Sequence, residues 1–274
     1  MNYLVLGSEG QIGKPLVEYL KSMGHTVSEI DLLNDREQDL RNIIPSQYVI
    51  KAIQKADIIF FLAFDVGGSR YLKKYEQTPE FVDNNLRLMT NTFDLLRLYK
   101  KKFIFASSQM SNMTWSTYGN LKAIGEKYTK MLGGIVVHFW NVYGPEHDKD
   151  KFHVISDFIT QAKRDGSIHM LTDGTESRQM LHVDDACVAL ESIADIYEVL
   201  NKDRIFCITS FEWTTIKRIA DIIGRQLNRC VFPGEAKDTV QKDSKNDPDD
   251  SILTFWRPQI SIEEGIALVI RDMK

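Results

Sequence analysis

The 274-residue chain predicts an α/β fold: a Rossmann-type, doubly wound parallel sheet with a smaller C-terminal α/β lobe. Three observations predict it. The chain opens on a short apolar run that ends in a glycine-rich turn. Apolar runs of strand length then alternate with helical periodicities. Past residue 145 that alternation loosens, which marks a second, less regular lobe. Strands that alternate with helices are joined by crossovers, and crossovers set consecutive strands parallel with helices on both faces.

The first element is the apolar run Asn2 to Leu6, short enough for a buried parallel strand. Gly7, Gly10 and Gly13 punctuate the turn after it. Ile12, Leu16, Val17 and Leu20 recur at intervals of three and four, which predicts a helix over 12–23. Thr26 to Ile30 is a second strand and stops at Asp31. Further strands are predicted at 57–63, 103–106, 135–139 and 205–208. Further helices are predicted at 47–55, 79–99, 118–132, 152–165, 184–199 and 214–227. The lysine run 100–102 falls at the solvated end of a helix. Residues 234–251 are polar and turn-rich and predict a mobile loop. The sequence has no internal repeat.

Composition narrows the function. Thirty-four Lys and Arg stand against 38 Asp and Glu, a formal net charge of −4, and the basic residues are scattered. Nucleic acid is not an expected partner. No apolar run reaches the ~18 residues of a membrane helix and no leader-like segment precedes the first strand, so no membrane partner and a cytoplasmic location are expected. Cys187, Cys207 and Cys230 are odd in number and show no metal-ligand spacing. They read as thiols in a reducing compartment, Cys187 and Cys207 buried, and no metal is expected.

The glycines carry the first chemical signal. A strand, a glycine turn and a helix N-terminus let the backbone approach a pyrophosphate and meet its charge with the helix dipole. The spacing is Gly-x-x-Gly-x-x-Gly, not the Gly-x-Gly-x-x-Gly of the common dinucleotide fingerprint. Gly7, Gly10, Gln11, Ile12 and Gly13 are the candidate contacts. Asp31 stands 18 residues after Gly13, where a carboxylate can accept hydrogen bonds from an adenosine ribose and repel a 2′-phosphate. NAD is therefore expected ahead of NADP. Arg36 is the nearby residue that argues the other way.

Tyr118 and Lys122 carry the second signal. Four residues apart at a helix start, they share a face. A phenol, with an ordinary pKa near ~10, is a poor base at neutral pH, and a nearby ammonium lowers it. Ser107 and Ser108 follow the strand 103–106, at the edge where open parallel sheets bind ligands. A hydroxyl there can hold a substrate oxygen while Tyr118 moves its proton. Taken alone, the Tyr/Lys pair reads more readily as an exposed amphipathic helix start, because Tyr-x-x-x-Lys occurs often by chance.

These residues belong to a longer series. After the glycine turn and Asp31 come Asp39-Leu40-Arg41, Phe61-Leu62-Ala63 at a fourth strand, Asn84-Asn85, Ser108, Tyr118/Lys122 and Asn141-Val-Tyr143-Gly144-Pro145. Arg178-Gln-Met-Leu-His182-Val-Asp184-Asp185 and Phe255-Trp256-Arg257-Pro258 with Ser261-Ile-Glu-Glu-Gly complete it. Over residues 2–270 the series resembles the extended short-chain dehydrogenase/reductases, specifically the NAD-dependent nucleotide-sugar epimerase/dehydratase group. The resemblance implies that Ser108, Tyr118 and Lys122 are catalytic, with Tyr118 the acid/base and Lys122 holding the nicotinamide ribose. It implies that Asp39 and Leu40 meet adenine, that Leu62 and Ala63 line the cofactor cleft, and that Asn141 and Arg178 face the diphosphate of a nucleotide-diphosphate sugar. Asn141 as a turn cap and Arg178 as a surface charge are the plain alternatives, and His182 is expected to be structural. A dinucleotide-binding domain of residues 1–145 with parts of 180–210 is expected, with residues 146–180 and 211–274 forming the substrate lobe.

Departures from the family pattern shape the expected reaction. Gln109 and Met110 stand where 4,6-dehydratases carry an Asp-Glu pair, so dehydration is not expected. The stretch Leu62 to Gly68 resembles GDP-mannose 3,5-epimerases, and His153 falls at the position of their second acid/base. Met110 replaces the cysteine that would be the first, and packing at a helix start is the plain alternative for His153. Phe232-Pro-Gly-Glu235 lacks the arginine of the family's Arg-Pro-Gly-Asp segment. The expectation is an NAD-dependent epimerase that works through a transient 4-keto sugar. The alternatives are an NAD(P)H-dependent 4-ketoreductase and a non-catalytic dinucleotide sensor. Resemblance also implies a homodimer through helices 79–99 and 118–132, with Leu86, Met89, Phe93 and Leu96 as candidates for either dimer or core contacts.

Overall fold

The computed structural model describes residues 1–146, 148–241 and 246–273. In chain order come β1 (Asn2–Leu6), α1 (Gly13–Ser22), β2 (Thr26–Ile30), α2 (Gln47–Lys55), β3 (Ile58–Phe61), α3 (Ser69–Tyr75), α4 (Pro79–Leu98), β4 (Lys102–Ser108), α5 (Thr117–Met131) and β5 (Ile135–Phe139). The remainder is β6 (Asn141–Tyr143), α6 (Val154–Asp165), β7 (Ser167–His169), β8 (Ser177–His182), α7 (Val183–Asp195), β9 (Ile205–Ile208), β10 (Trp213–Thr215), α8 (Ile216–Leu227), β11 (Cys230–Phe232) and α9 (Ile262–Asp272).

The large sheet is parallel throughout, in the order β2-β1-β3-β4-β5-β9. Helices cover both faces. Leu16, Val17 and Leu20 of α1 pack with Ala186, Leu190 and Ile193 of α7 on one side. Val49 and Ile53 of α2, Met89 and Phe93 of α4, and Leu121 of α5 pack on the other. The strand order reverses between β1 and β3, which opens a crevice at their C-terminal ends. The glycine turn after β1, Leu62 after β3 and Ser108 at the end of β4 all reach that edge.

Two smaller sheets follow, β10-β8-β6 and β11-β7. They share a separate core with α6, α8 and α9, built from Ile155, Phe158, Ile159, Ile219, Ile223 and Ile266.

The predicted helices and strands are present, with ends displaced by up to four residues: β3 stops at Phe61 and α7 at Asp195, whereas β4 runs on to Ser108. The structure adds α3, α9 and five short strands. Four of the five have three residues, below the length at which alternation can be read. Phe61-Leu62-Ala63 follows the third strand of the chain, not a fourth. Lys101 is not a solvated end: its Nζ donates to the carbonyls of Gln54 (2.6 Å) and Ala56 (2.9 Å), where a cation complements the end of α2. Met89, Phe93 and Leu96 are core residues, each 2% exposed or less. Of the predicted mobile loop 234–251, residues 242–245 lie outside the described residues; residues 234–241 are irregular but docked, Gly234 N–H donating to Thr172 O and Ala236 N–H to Leu171 O, both at 2.9 Å. Cys187 and Cys207 are buried free thiols and Cys230 is exposed. Among the described residues, no helix is long and apolar enough to cross a membrane.

Candidate active site

The glycine turn is shaped by space. Gly7 has φ +87°, and a Cβ on it would lie 2.7 Å from Ala63 N; a Cβ on Gly13 would lie 1.9 Å from Gly7 O. A side chain at either position would force the turn open. Ile12, which precedes α1, caps no amide with its side chain, and the first turn of α1 carries no acid. The amides and dipole at that end therefore face the crevice available to an anion. Gln11 Nε2 donates to Val142 O at 3.1 Å and ties the turn to β6. Leu62 N–H donates to Leu6 O at 3.0 Å, which seats Leu62 and Ala63 against the turn.

Asp31 follows β2 beside this turn. One of its oxygens accepts from Glu9 N–H (3.0 Å) and the other from Leu33 N–H (2.9 Å). Each oxygen keeps a lone pair for a ribose hydroxyl. Asp39 is held by Arg41, whose Nε and Nη2 donate to it at 2.9 and 2.8 Å. Those bonds hold its carboxyl below the usual carboxylate range. Asp39 and Leu40 line a recess with Ile43, Pro45, Val49 and Asn91. A backbone cradle without side chains, a helix end open to charge and a carboxylate beside the glycine turn with acceptor capacity left together fit a dinucleotide.

The second group gathers at the ends of β4 and α5. Ser116 caps α5, accepting from Gly119 N–H at 3.1 Å and donating to Glu76 at 3.0 Å. This fixes the first turn, where Tyr118 sits 9% exposed. Burial pushes the Tyr118 phenol up to about 12, and the hydrogen bond with the Ser108 hydroxyl pulls the other way. Ser108 Oγ also accepts from Met110 N–H at 3.2 Å. Lys122 is buried, its Nζ donating to Ala106 O at 2.6 Å and lying 3.7 Å from the centre of the Phe64 ring. Burial lowers its pKa to about 7, against the attraction of Glu126. The ammonium is 5.8 Å from the centre of the Tyr118 ring. Tyr118, Ser108 and Lys122 thus converge, but the expectation that Lys122 lowers the Tyr118 phenol is not met in this geometry: burial dominates, and Lys122 faces Ala106 and Phe64.

Three further features went unread in the sequence. Phe64 packs edge-on to Tyr118, with centroids 5.6 Å apart, and caps Lys122. Glu126, one turn beyond Lys122, accepts from Ser107 Oγ (2.5 Å) and pairs with His138 (2.7 Å). This ties β4, α5 and β5 together behind Ser108. The i+4 spacing from Lys122 was the available signal for Glu126; His138 came from a strand that gave none. The third feature is the segment around Asp238.

On the small-sheet side, Asn141 Oδ1 is buried and finds no partner among the described residues. Arg178 is also buried. Its Nη1 donates to Ser177 O at 2.7 Å and its Nη2 pairs with Asp238, so it is not a surface charge. His153 precedes α6 and is held by Glu146, through Nδ1 at 2.7 Å and through its backbone N–H at 2.9 Å. His182 accepts from Asp184 N–H at 3.3 Å at the start of α7, and burial lowers its pKa. Gln109 is engaged by Asn246, whose Nδ2 donates to its carbonyl (3.1 Å) and to its Oε1 (2.9 Å). Among the described residues, no cluster of three His, Cys, Asp or Glu side chains could hold a metal.

The model of the NAD-dependent epimerase/dehydratase family matches residues 3–208. The UDP-glucuronate 4-epimerase of Thermodesulfobacterium geofontis is 26% identical, over 99% of this chain and 96% of its own. Two crystal structures share the fold at 21% identity, each aligned over 99% of this chain and 98% of its own. One is the UDP-glucose 4-epimerase of Thermotoga maritima with UDP-glucose (TM-score 0.78). The other is that of Thermus thermophilus with NAD (TM-score 0.79).

Proposed function

Since the chain belongs to the NAD-dependent epimerase/dehydratase family, we propose that it epimerises a nucleotide-diphosphate sugar through a transient 4-keto intermediate. The observation that carries this reading is the meeting of two buried hydroxyls, Ser108 and Tyr118, at the sheet edge beside the glycine turn, with Lys122 one helical turn away. Bound NAD supplies the hydride acceptor and donor. Tyr118 takes the proton from the sugar hydroxyl and later returns it. Ser108 donates a hydrogen bond to the oxygen on which charge develops. Lys122, which has the charge to favour the phenolate, must turn from Ala106 towards Tyr118 and the nicotinamide ribose to do so.

The residues after Ser108 favour this route over dehydration or 3,5-epimerisation. Gln109 is hydrogen-bonded to Asn246 and Met110 is buried in the core beside Tyr118, so neither supplies a second acid or base. The similarity to 4-epimerases of UDP-sugars supports the same reading. Asn141 and Arg178 would take the diphosphate. The large sheet with the glycine turn would form the cofactor domain, the smaller sheets the substrate lobe, and His153 would face the sugar from α6. Exposed Ile124, Tyr128 and Met131 on α5, at 41%, 43% and 81%, leave that helix open to a homodimer contact.

The test is Tyr118→Phe. Turnover of nucleotide sugars should fall by about 10²–10⁴-fold, the usual weight of a positioned acid/base, while NAD binding stays within about twofold. Turnover near the wild-type rate would sink the assignment.

A further inference from the structure

Asp238 reaches Arg178 from outside the strand that carries it. Residues 234–241 leave β11 along the small sheets, anchored by the backbone bonds of Gly234 and Ala236. They then cross to the large sheet. Val240 is 7% exposed and packs in the same apolar cluster as Met110, Met113 and Tyr118. Its carbonyl accepts from Trp115 Nε1 at 3.1 Å. Gln241 accepts from Gln109 Nε2 at 3.4 Å. The segment is therefore a strap from one lobe to the other, lying against the residues that flank Ser108 and Tyr118. Asp238 sits between its two docked ends, one oxygen on Arg178 and the other accepting from Val240 N–H at 2.8 Å.

A buried guanidinium needs an anion, because an uncompensated charge is costly away from water. Asp238 supplies one here. A diphosphate presents more charge and can engage the guanidinium fork through two oxygens. We propose that Asp238 is an internal stand-in for the substrate's diphosphate on Arg178, displaced by a nucleoside diphosphate, which frees the strap 236–241 from the cleft. This rests on the reading above, in which Arg178 takes the diphosphate. Its consequence is selectivity: a ligand with one weak charge does not displace the carboxylate, whereas a diphosphate opens the way over Tyr118.

The experiment is calorimetric titration of the NAD-loaded protein with UDP, GDP, CDP and dTDP. Asp238→Asn is compared with wild type, and Glu235→Gln, an exposed neighbour, is the charge-matched control. Removing the internal competitor should tighten the best nucleoside diphosphate by about tenfold, ~1.4 kcal/mol at 25 °C, and Arg178→Ala in the same background should abolish the gain. Glu235→Gln should change nothing. In wild type, that nucleotide should also speed tryptic cleavage after Lys237. Unchanged or weaker binding in Asp238→Asn, or an equal gain in Glu235→Gln, overturns the proposal. If wild type still binds and Arg178→Ala does not, the diphosphate reading stands without it. Binding that is unaffected by Arg178→Ala, or no binding by any variant, overturns both.

Discussion

At the scale of single residues, the site is governed by burial. Tyr118 and Lys122 were legible because a phenol and an amine four apart on a helix share a face whatever surrounds them. Their ionisation was not legible, because it depends on groups brought in from β3 and β4. Burial raises the phenol and lowers the amine, so both neutral forms are favoured. The amine has a measurable consequence for stability. Its folded pKa is about 7, against an unfolded value near ~10.4. Between those values the unfolded chain binds the extra proton, so stability rises with pH. Denaturant midpoints from pH 7 to 10 should show a rise that is shallower in Lys122→Met by roughly 1 kcal/mol per pH unit; a parallel slope in the variant would refute the buried, depressed amine. Phe64 is a second residue-scale finding. Its ring covers the ammonium, a contact that partly offsets the loss of water.

At the scale of elements, helix and strand periodicity carried most of the architecture. Amphipathic helices announce themselves because one face must meet the sheet. The three-residue strands around β8 could not, since their pairing is set by partners far along the chain. The contact among Ser107, Glu126 and His138 lives at this scale, joining the ends of two strands and a helix. Glu126→Ala leaves buried donors on Ser107 and His138 without their acceptor, and each such group costs about 1–3 kcal/mol. Urea denaturation should show a loss in that range, and kcat should fall as Ser108 loses its position relative to α5. A stability change below about 0.5 kcal/mol would show that the cluster is dispensable, as surface substitutions are.

For the whole molecule, the strand order decides where chemistry can occur. The reversal between β1 and β3 opens one crevice, and the fold delivers the glycine turn, Asp31, Ala63 and Ser108 to its rim. Mass spectrometry of the purified, denatured protein should find NAD rather than NADP, because a 2′-phosphate would meet the Asp31 carboxylate. Retained NAD also favours an epimerase, which returns its hydride each cycle, over a reductase that exchanges its cofactor. NADP as the dominant nucleotide would overturn the reading of Asp31. The sequence by itself determined the fold class, because strand and helix periodicity is local, and it offered the glycine turn, Tyr118 and Lys122 as a candidate group through glycine space and fixed helical spacing; the catalytic roles proposed for Ser108, Tyr118 and Lys122 come from the family resemblance. Tertiary structure alone decided that Lys122 faces Ala106 and Phe64, that Glu126 braces Ser107, and that Asp238 lies on Arg178 sixty residues away. Those outcomes are contacts between segments distant in sequence, and desolvation, which sets their energies, exists only once the chain has closed around them.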